Sequence, residues 1–145
     1  MSNTGLPVID KTIQETNLWL KTVMNELRTE DRHDAYGALK AVLHALRDRI
    51  GPENAVHLGA QLPILVRGVY YEGWHPATTP THERHIEPFL EHLSDRLPPR
   101  LAAYPEHAAR AVFNVMWQRI DQGEVAKIIE ILPVGLRGLW ESVAA

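Results

Sequence analysis

The sequence predicts an all-α protein, a bundle of about eight helices built from two tandem pseudo-repeats of about 70 residues. Three observations carry that expectation. The heptapeptide Leu62-Pro63-Ile64-Leu65-Val66-Arg67-Gly68 returns as Leu132-Pro133-Val134-Gly135-Leu136-Arg137-Gly138. The same offset holds upstream without a gap, pairing Leu20 with Leu90, Leu27 with Leu97, Ala38 with Ala108, Ala41-Val42 with Ala111-Val112 and Arg49-Ile50 with Arg119-Ile120. These are 11 identities over 51 aligned positions, where unrelated segments would share about 3. Apolar residues also recur at the three-to-four spacing of amphipathic helices, and no stretch sustains the alternation a strand needs. A period this long is not that of a solenoid, so two copies are expected to pack as pseudo-twofold halves of a single domain over 1–145.

In the first half, about 9–72, Ile9, Ile13, Leu20, Val23, Met24 and Leu27 share one helical face, with Thr16 completing the stripe, which predicts a helix from about Ile9 to Arg28. Asp31 or Asp34 suits the N-cap of a second helix that turns Leu39, Val42, Leu43, Leu46 and Ile50 inward and ends at Gly51-Pro52. Proline suits a first helical position, so Pro52 opens a third helix through Ala55, Val56 and Leu58, and Pro63 a fourth carrying Leu65, Val66, Val69 and Tyr70. The second half, about 82–143, repeats the order, with Ile86, Phe89, Leu90, Leu93 and Leu97 in its first helix and Ala108, Val112, Val115, Met116 and Ile120 in its second. Pro88 requires the first of these helices to begin near His85, because a proline deeper inside would lose a hydrogen bond and clash with the preceding turn. Pro105 and Pro133 mark helix starts, and Gly123 is expected in a turn. The segment 73–81, with Gly73, Pro76 and Pro80, reads as the linker between halves.

Composition narrows the function. With 145 residues and no cysteine, the chain can bury roughly 70% of its unfolded surface without staples, while disulfides, thiolate zinc sites and a cysteine nucleophile are excluded. Residues Met1 to Asp10 lack the cationic and apolar stretches of a secretory signal, and no apolar run reaches the ~18 residues of a membrane span. The expectation is a soluble, cytoplasmic protein with no membrane partner. A net charge of −3, from 15 basic and 18 acidic residues spread along the chain, provides no basic stripe and argues against nucleic acid as a partner. There is no glycine-rich phosphate loop and no Gly-x-Ser-x-Gly elbow, and Ser2, Ser94 and Ser142 lie near no histidine and acid in a recognisable order.

A feature present in both halves is most simply structural, and a feature in one half is the better candidate for a site. On that test Pro63 with Pro133 are helix starts, and Gly68 with Gly138 close-packing positions; Arg67 and Arg137 either cap carbonyls or hold a carboxylate. The one-sided feature is Tyr70-Tyr71-Glu72-Gly73-Trp74-His75-Pro76 followed by His82-Glu83-Arg84-His85. Aromatic residues with polar tips suit a ligand or partner surface, and equally suit sealing the end of a bundle. Tyr70, Tyr71, Glu72, Trp74, Arg84 and His85 are therefore the candidate binding residues, and no catalytic residue is assigned. Histidine density points to an alternative: His75, His82 and His85, with a carboxylate such as Glu72 or Glu83, as ligands of zinc or another divalent ion, His82 and His85 sharing a helix face. His82-Glu83-Arg84-His85 is one residue short of the His-Glu-x-x-His metalloprotease signature, and Gly73 and Pro76 argue against a helical Glu72-x-x-His75 di-iron motif.

Together, Asp31-Arg32-His33-Asp34-Ala35-Tyr36, Ala41-Val42-Leu43-His44-Ala45-Leu46-Arg47-Asp48-Arg49, Gly59-Ala60-Gln61-Leu62-Pro63, Arg67-Gly68 and Tyr70-Tyr71-Glu72-Gly73-Trp74 resemble the bacterial domain of unknown function 2267 family. The resemblance runs from about Gly5 to Trp140 and includes Gln122-Gly123-Glu124 and Leu132-Pro133. It implies a helical, internally duplicated domain of a bacterial cytoplasm with no established activity, so it transfers no catalytic residue. The expected function is a non-enzymatic interaction module that needs no cofactor, binds a protein partner or small molecule near residues 70–85, and admits a homodimer.

Overall fold

The computed structural model describes residues 3–140. Among them are eight α-helices and no strand: α1 Pro7–Leu27, α2 Arg32–Ile50, α3 Pro52–Gly59, α4 Ile64–Tyr71, α5 Ile86–Ser94, α6 Pro105–Arg119, α7 Gln122–Ile131 and α8 Val134–Arg137. Short 3-10 turns follow at Pro76–Thr78 and Gly138–Trp140. No helix is long and apolar enough to cross a membrane. Residues 141–143 of the second half, and Ser2 and Ser142, lie outside the described residues.

Local chemistry sets most boundaries. Arg28, left-handed at φ 59°, ends α1, and Asp31 caps α2 by accepting from the backbone N–H of His33 and Asp34 at 2.9 and 3.2 Å. Pro7, Pro52 and Pro105 each occupy a first helical position, where the missing N–H costs nothing. Gly123 lies inside α7 rather than in a turn, because Asp121 caps the Glu124 N–H at 3.1 Å and so starts the helix before the glycine. Helix α5 begins at Ile86, as Pro88 requires. His82 and His85 consequently lie in the extended segment before it and share no helix face: in a helix reaching back past His85, the Pro88 ring would collide with the Arg84 carbonyl.

The central helices α2 and α6 hold the core, and α1 packs on both. Many positions seventy apart are both buried: Leu27 and Leu97, Ala38 and Ala108, Val42 and Val112, Leu43 and Phe113, Leu46 and Met116, Ile50 and Ile120, Leu58 and Ile128, Leu62 and Leu132, Tyr70 and Trp140. Trp140 stacks on Phe113 with ring centroids 3.9 Å apart, an arrangement worth about 0.5–1.5 kcal/mol beyond the area buried. Arg67 and Arg137 behave alike: Arg67 donates to the carbonyls of Leu62 and Ala60, and Arg137 to those of Leu132 and Glu130, so both cap the end of the preceding helix, and among the described residues neither holds a carboxylate.

The first two turns of α1 depart from the expectation, while Leu20, Val23 and Leu27 are buried as the period predicts. Ile9 and Ile13 are exposed, and Thr12 is buried in their place. The Thr12 hydroxyl accepts from the Leu65 N–H at 3.2 Å, one of the orphan donors in the first turn of α4. Leu65 and Val56 are likewise exposed rather than inward. Gly68 is not a close-packing position, since a Cβ there would meet nothing within 4 Å. The close approaches are at Gly59 against the Tyr71 hydroxyl, Gly37 against Pro98, and Gly135 against the Arg84 carbonyl.

Candidate functional site

The linker is bound to the bundle by hydrogen bonds rather than draped over it. The Thr81 N–H donates to the Asp48 carbonyl at 2.9 Å, and Arg49 Nε donates to the Glu83 carbonyl at 2.7 Å. Asp48 belongs to the last turn of α2, whose carbonyls have no helical partner, so residues 72–85 complete that helix end. Glu83 is buried, with its carboxylate 2.9 Å from His92 Nδ1. Burial pushes its carboxyl up, but the neighbouring Thr81 hydroxyl and His92 outweigh that and hold it below the ordinary value.

The candidate binding residues separate into two groups. Tyr70 is fully buried and donates its hydroxyl to the Ala55 carbonyl at 2.7 Å; burial pushes its phenol up, so it remains a donor. It belongs to the core, not to a surface. Tyr71 meets the Tyr70 ring edge-on at 4.9 Å and tilts toward Trp74 at 5.4 Å, so the three aromatic rings seal this end of the bundle. The Trp74 indole N–H is buried without a hydrogen-bond partner among the described residues. Glu72 is exposed and bonded to Lys40 at 2.6 Å. Arg84 and His85 are exposed where the chain crosses Gly135.

The histidines do not converge. His75 lies on the rim of one cleft, while His82 and His85 line another concavity with Glu83 and His92. Among the described residues no group of three or more histidine, aspartate or glutamate side chains is placed to hold a metal ion.

What the fold does assemble is a cleft of about 700 Å³ between α2, the segment after α4 and the end of α5. Its floor is a stripe of α2, Lys40, His44, Arg47 and Asp48, spaced to fall on one helical face. Glu72, Gly73, His75 and Thr78 form one wall, and Arg96, Leu97 and Pro98 the other. Gly73 turns the chain into the first wall with φ 70°, a conformation a side chain would strain. Gly37 lets Pro98 close against α2.

Beneath the cleft is a buried ionic frame. Arg47, 3% exposed, donates to Asp48 at 2.8 Å and to the carbonyls of Tyr70 and Glu72 at 2.8 and 3.1 Å, while Arg96 reaches the other Asp48 oxygen at 3.1 Å. Half-buried His44 places Nε2 2.7 Å from the Val69 carbonyl; an oxygen can only accept, so this nitrogen carries the proton and Nδ1 is left as the free ring nitrogen. Burial pushes the His44 imidazole down, the charges of Arg47, Arg96 and Lys40 push the same way, and the bond to Val69 only partly opposes them. Lys40 and Glu72 stabilise each other's charged forms, the ammonium held above and the carboxyl below its ordinary value.

Beside the cleft α5 stops at Ser94, three positions short of the match to Leu27, the last residue of α1. Helix α1 has 21 residues and α5 only 9. Seventy residues from Arg96, His44 and Asp48 stand Glu26, Asn114 and Gln118, and there Glu26 accepts from both amides at 2.9 Å, closing α1 onto α6. At the first set of positions α5 ends with Ser94, and a charged opening remains.

Residues 16–139 match the family described as an uncharacterized conserved protein, DUF2267. The chain belongs to that family. No curated protein matches it. The match covers both halves, α2 and the segment after α4, so every residue lining the cleft lies within the family's span. Sequence reasoning found Glu72 and His75 but missed Lys40, His44, Arg47, Asp48 and Arg96. One sign was available: at the matching second-half positions the α2 stripe becomes Arg110, Asn114, Trp117 and Gln118, so the stripe is also one-sided.

Proposed function

We propose that this protein is a non-enzymatic binding module whose ligand site is the cleft between α2, residues 72–78 and the end of α5. The observation that carries the reading is the concentration of partly exposed charged side chains over a rigid, satisfied frame. Lys40 and Arg96 present their heads at 38% and 41% side-chain exposure, above Arg47 and Asp48, which spend their hydrogen-bonding capacity on the scaffold. A site so arranged is pre-organised for binding, and its volume falls in the roughly 300–1,000 Å³ range of small-molecule sites. Binding is favoured over catalysis because His44 uses one nitrogen on Val69, while the hydroxyl and amine that share its cleft are engaged elsewhere, Thr78 on the His75 carbonyl and Lys40 on Glu72. The aromatic residues of the original surface keep a part, since Tyr71 and Trp74 hold the wall that carries Glu72 and His75.

The test is a screen of a small-metabolite library against isotope-labelled protein by NMR. Binders should perturb the amides of Lys40, His44, Gly73 and Leu97 together. Binders that map instead to the groove between α1 and α4, lined by Val8, Leu18, Trp19 and Ile64, or a library that leaves the cleft unperturbed, would refute the assignment.

A further inference from the structure

The cleft carries a charge imbalance that says which ligand it takes. Leaving the histidines aside, its ionic lining is Lys40, Arg47 and Arg96 against Asp48 and Glu72, three positive charges against two negative. Asp48 is shared between two guanidinium groups, its Oδ1 on Arg47 and its Oδ2 on Arg96, so one carboxylate balances two cations. The excess cannot relax by collapse, because Arg47 is fixed from below by the carbonyls of Tyr70 and Glu72.

The donors left over face the open side. Of the five N–H donors on a guanidinium, Arg96 uses one nitrogen, Nη2, on Asp48, and the others have no protein partner among the described residues. Lys40 spends one of three ammonium protons on Glu72. Both side chains line the same opening as His44. His44 adds a third element, because its free Nδ1 becomes a donor as soon as the ring is protonated, and an anion beside it supplies the charge that protonation needs.

Resting on the binding reading above, we propose that the cleft takes the oxyanion of a small molecule, a carboxylate or phosphate group held between Lys40, His44 and Arg96. Arginine offers the planar fork and lysine the compact point charge that such groups accept. Binding and His44 protonation are then linked: the bound anion favours the imidazolium, so affinity rises as pH falls through the histidine range. The charged groups that line the cleft with His44 are Lys40, Arg47 and Asp48 of its own helix, Glu72 of one wall and Arg96 of the other; the three cations oppose its protonation and Glu72 favours it, so burial and the cations keep the ring neutral until a further anion arrives.

The experiment titrates inorganic phosphate and, separately, succinate into labelled protein at constant ionic strength, with chloride as the control, following the His44 ring and the amides of the cleft. The expected result is saturable binding of at least one oxyanion, tighter at about pH 6 than at about pH 8, with the His44 pKa raised in the complex. Whichever of the two binds more tightly identifies the headgroup. Arg96→Gln and Lys40→Gln should each weaken binding by about tenfold, the loss of one charge-assisted bond. Because Arg96 also serves Asp48, Lys40→Gln is the variant that keeps the buried frame intact. Absence of saturation, equal shifts with chloride, or undiminished binding by both variants would overturn the proposal. Cleft occupancy by neutral or cationic library compounds but not by oxyanions would overturn it while leaving the binding reading in place; a cleft that nothing occupies would remove both.

Discussion

Replacing Arg47 by methionine is the sharpest test of the frame under the cleft. Methionine keeps the straight stem and roughly the volume, so the loss is mainly electrostatic. The side chain is 3% exposed and makes three bonds, to Asp48 at 2.8 Å, Tyr70 O at 2.8 Å and Glu72 O at 3.1 Å. Removing one partner of a buried pair costs about 3–5 kcal/mol when the other charge is stranded. Asp48 is only half stranded, because Arg96 remains, but two carbonyls lose a charged donor, each worth about 1.5–3 kcal/mol when water does not replace it. Water reaches Glu72 more readily than Tyr70, which brings the expected total to about 3–5 kcal/mol. For a chain of this size that lowers the melting temperature by roughly 6–20 °C. Urea unfolding followed by far-UV circular dichroism, checked for an unchanged m-value, measures it. Arg47→Lys should fall between the two, since an ammonium keeps the charge but not the fork. A loss below about 1 kcal/mol for Arg47→Met would mean that the arginine does not tie residues 70–72 to α2, and the pre-organised cleft would go with it.

Three glycines should respond in opposite directions. Gly68→Ala meets open space inside α4 and should gain up to about 1 kcal/mol, whereas Gly135→Ala drives its methyl into the Arg84 backbone and should lose about 1–3 kcal/mol; Gly59→Ala, opposed by the hydroxyl and ring edge of Tyr71, a side chain that can shift where backbone cannot, should fall between. Equal melting temperatures for the three would contradict the packing. Tyr70→Phe leaves the Ala55 carbonyl without its donor and should cost about 1–2 kcal/mol in the same denaturant assay, with no change at Tyr71→Phe, whose hydroxyl contact is 3.5 Å. His44 is held below the ordinary imidazole value of 6.5, so on acidification the unfolded chain takes up the proton first. Stability should therefore fall as pH drops through the ordinary value, and His44→Gln, which retains a donor for Val69 but does not titrate, should flatten that part of the profile. A profile identical to wild type would show that His44 titrates normally.

The helices were legible because their signals are local. Periodicity, the Asp31 cap and the prolines at 52 and 105 act within a turn or two of the chain, and Pro88 placed the start of α5 within a residue. The offset of seventy that pairs Val42 with Val112 and Leu62 with Leu132 joins residues that are all buried. Where expectation failed, a distant partner intervened. Ile9 and Ile13 follow the apolar period, but at that end of the helix it is Thr12, bonded to the orphan N–H of Leu65, that is buried. Gly68 matches Gly138 in sequence, yet no neighbour approaches it.

The candidate site was the least legible part. The aromatic run was conspicuous, but its first member, Tyr70, is drawn inward by the Ala55 carbonyl, and the histidines that suggested a metal site are distributed over two concavities. Lys40, His44, Arg47 and Asp48 read as an ordinary polar helix face, and Arg96 stands 48 residues beyond Asp48, so no local pattern joins them. The helices and the family were readable from the chain alone, because each is written in local spacings and motifs. Only the tertiary structure decided which polar residues meet. That depends on where α5 stops: it ends with Ser94, three positions short of the match to the last residue of α1, and Arg96 beyond it reaches Asp48 beside the open cleft.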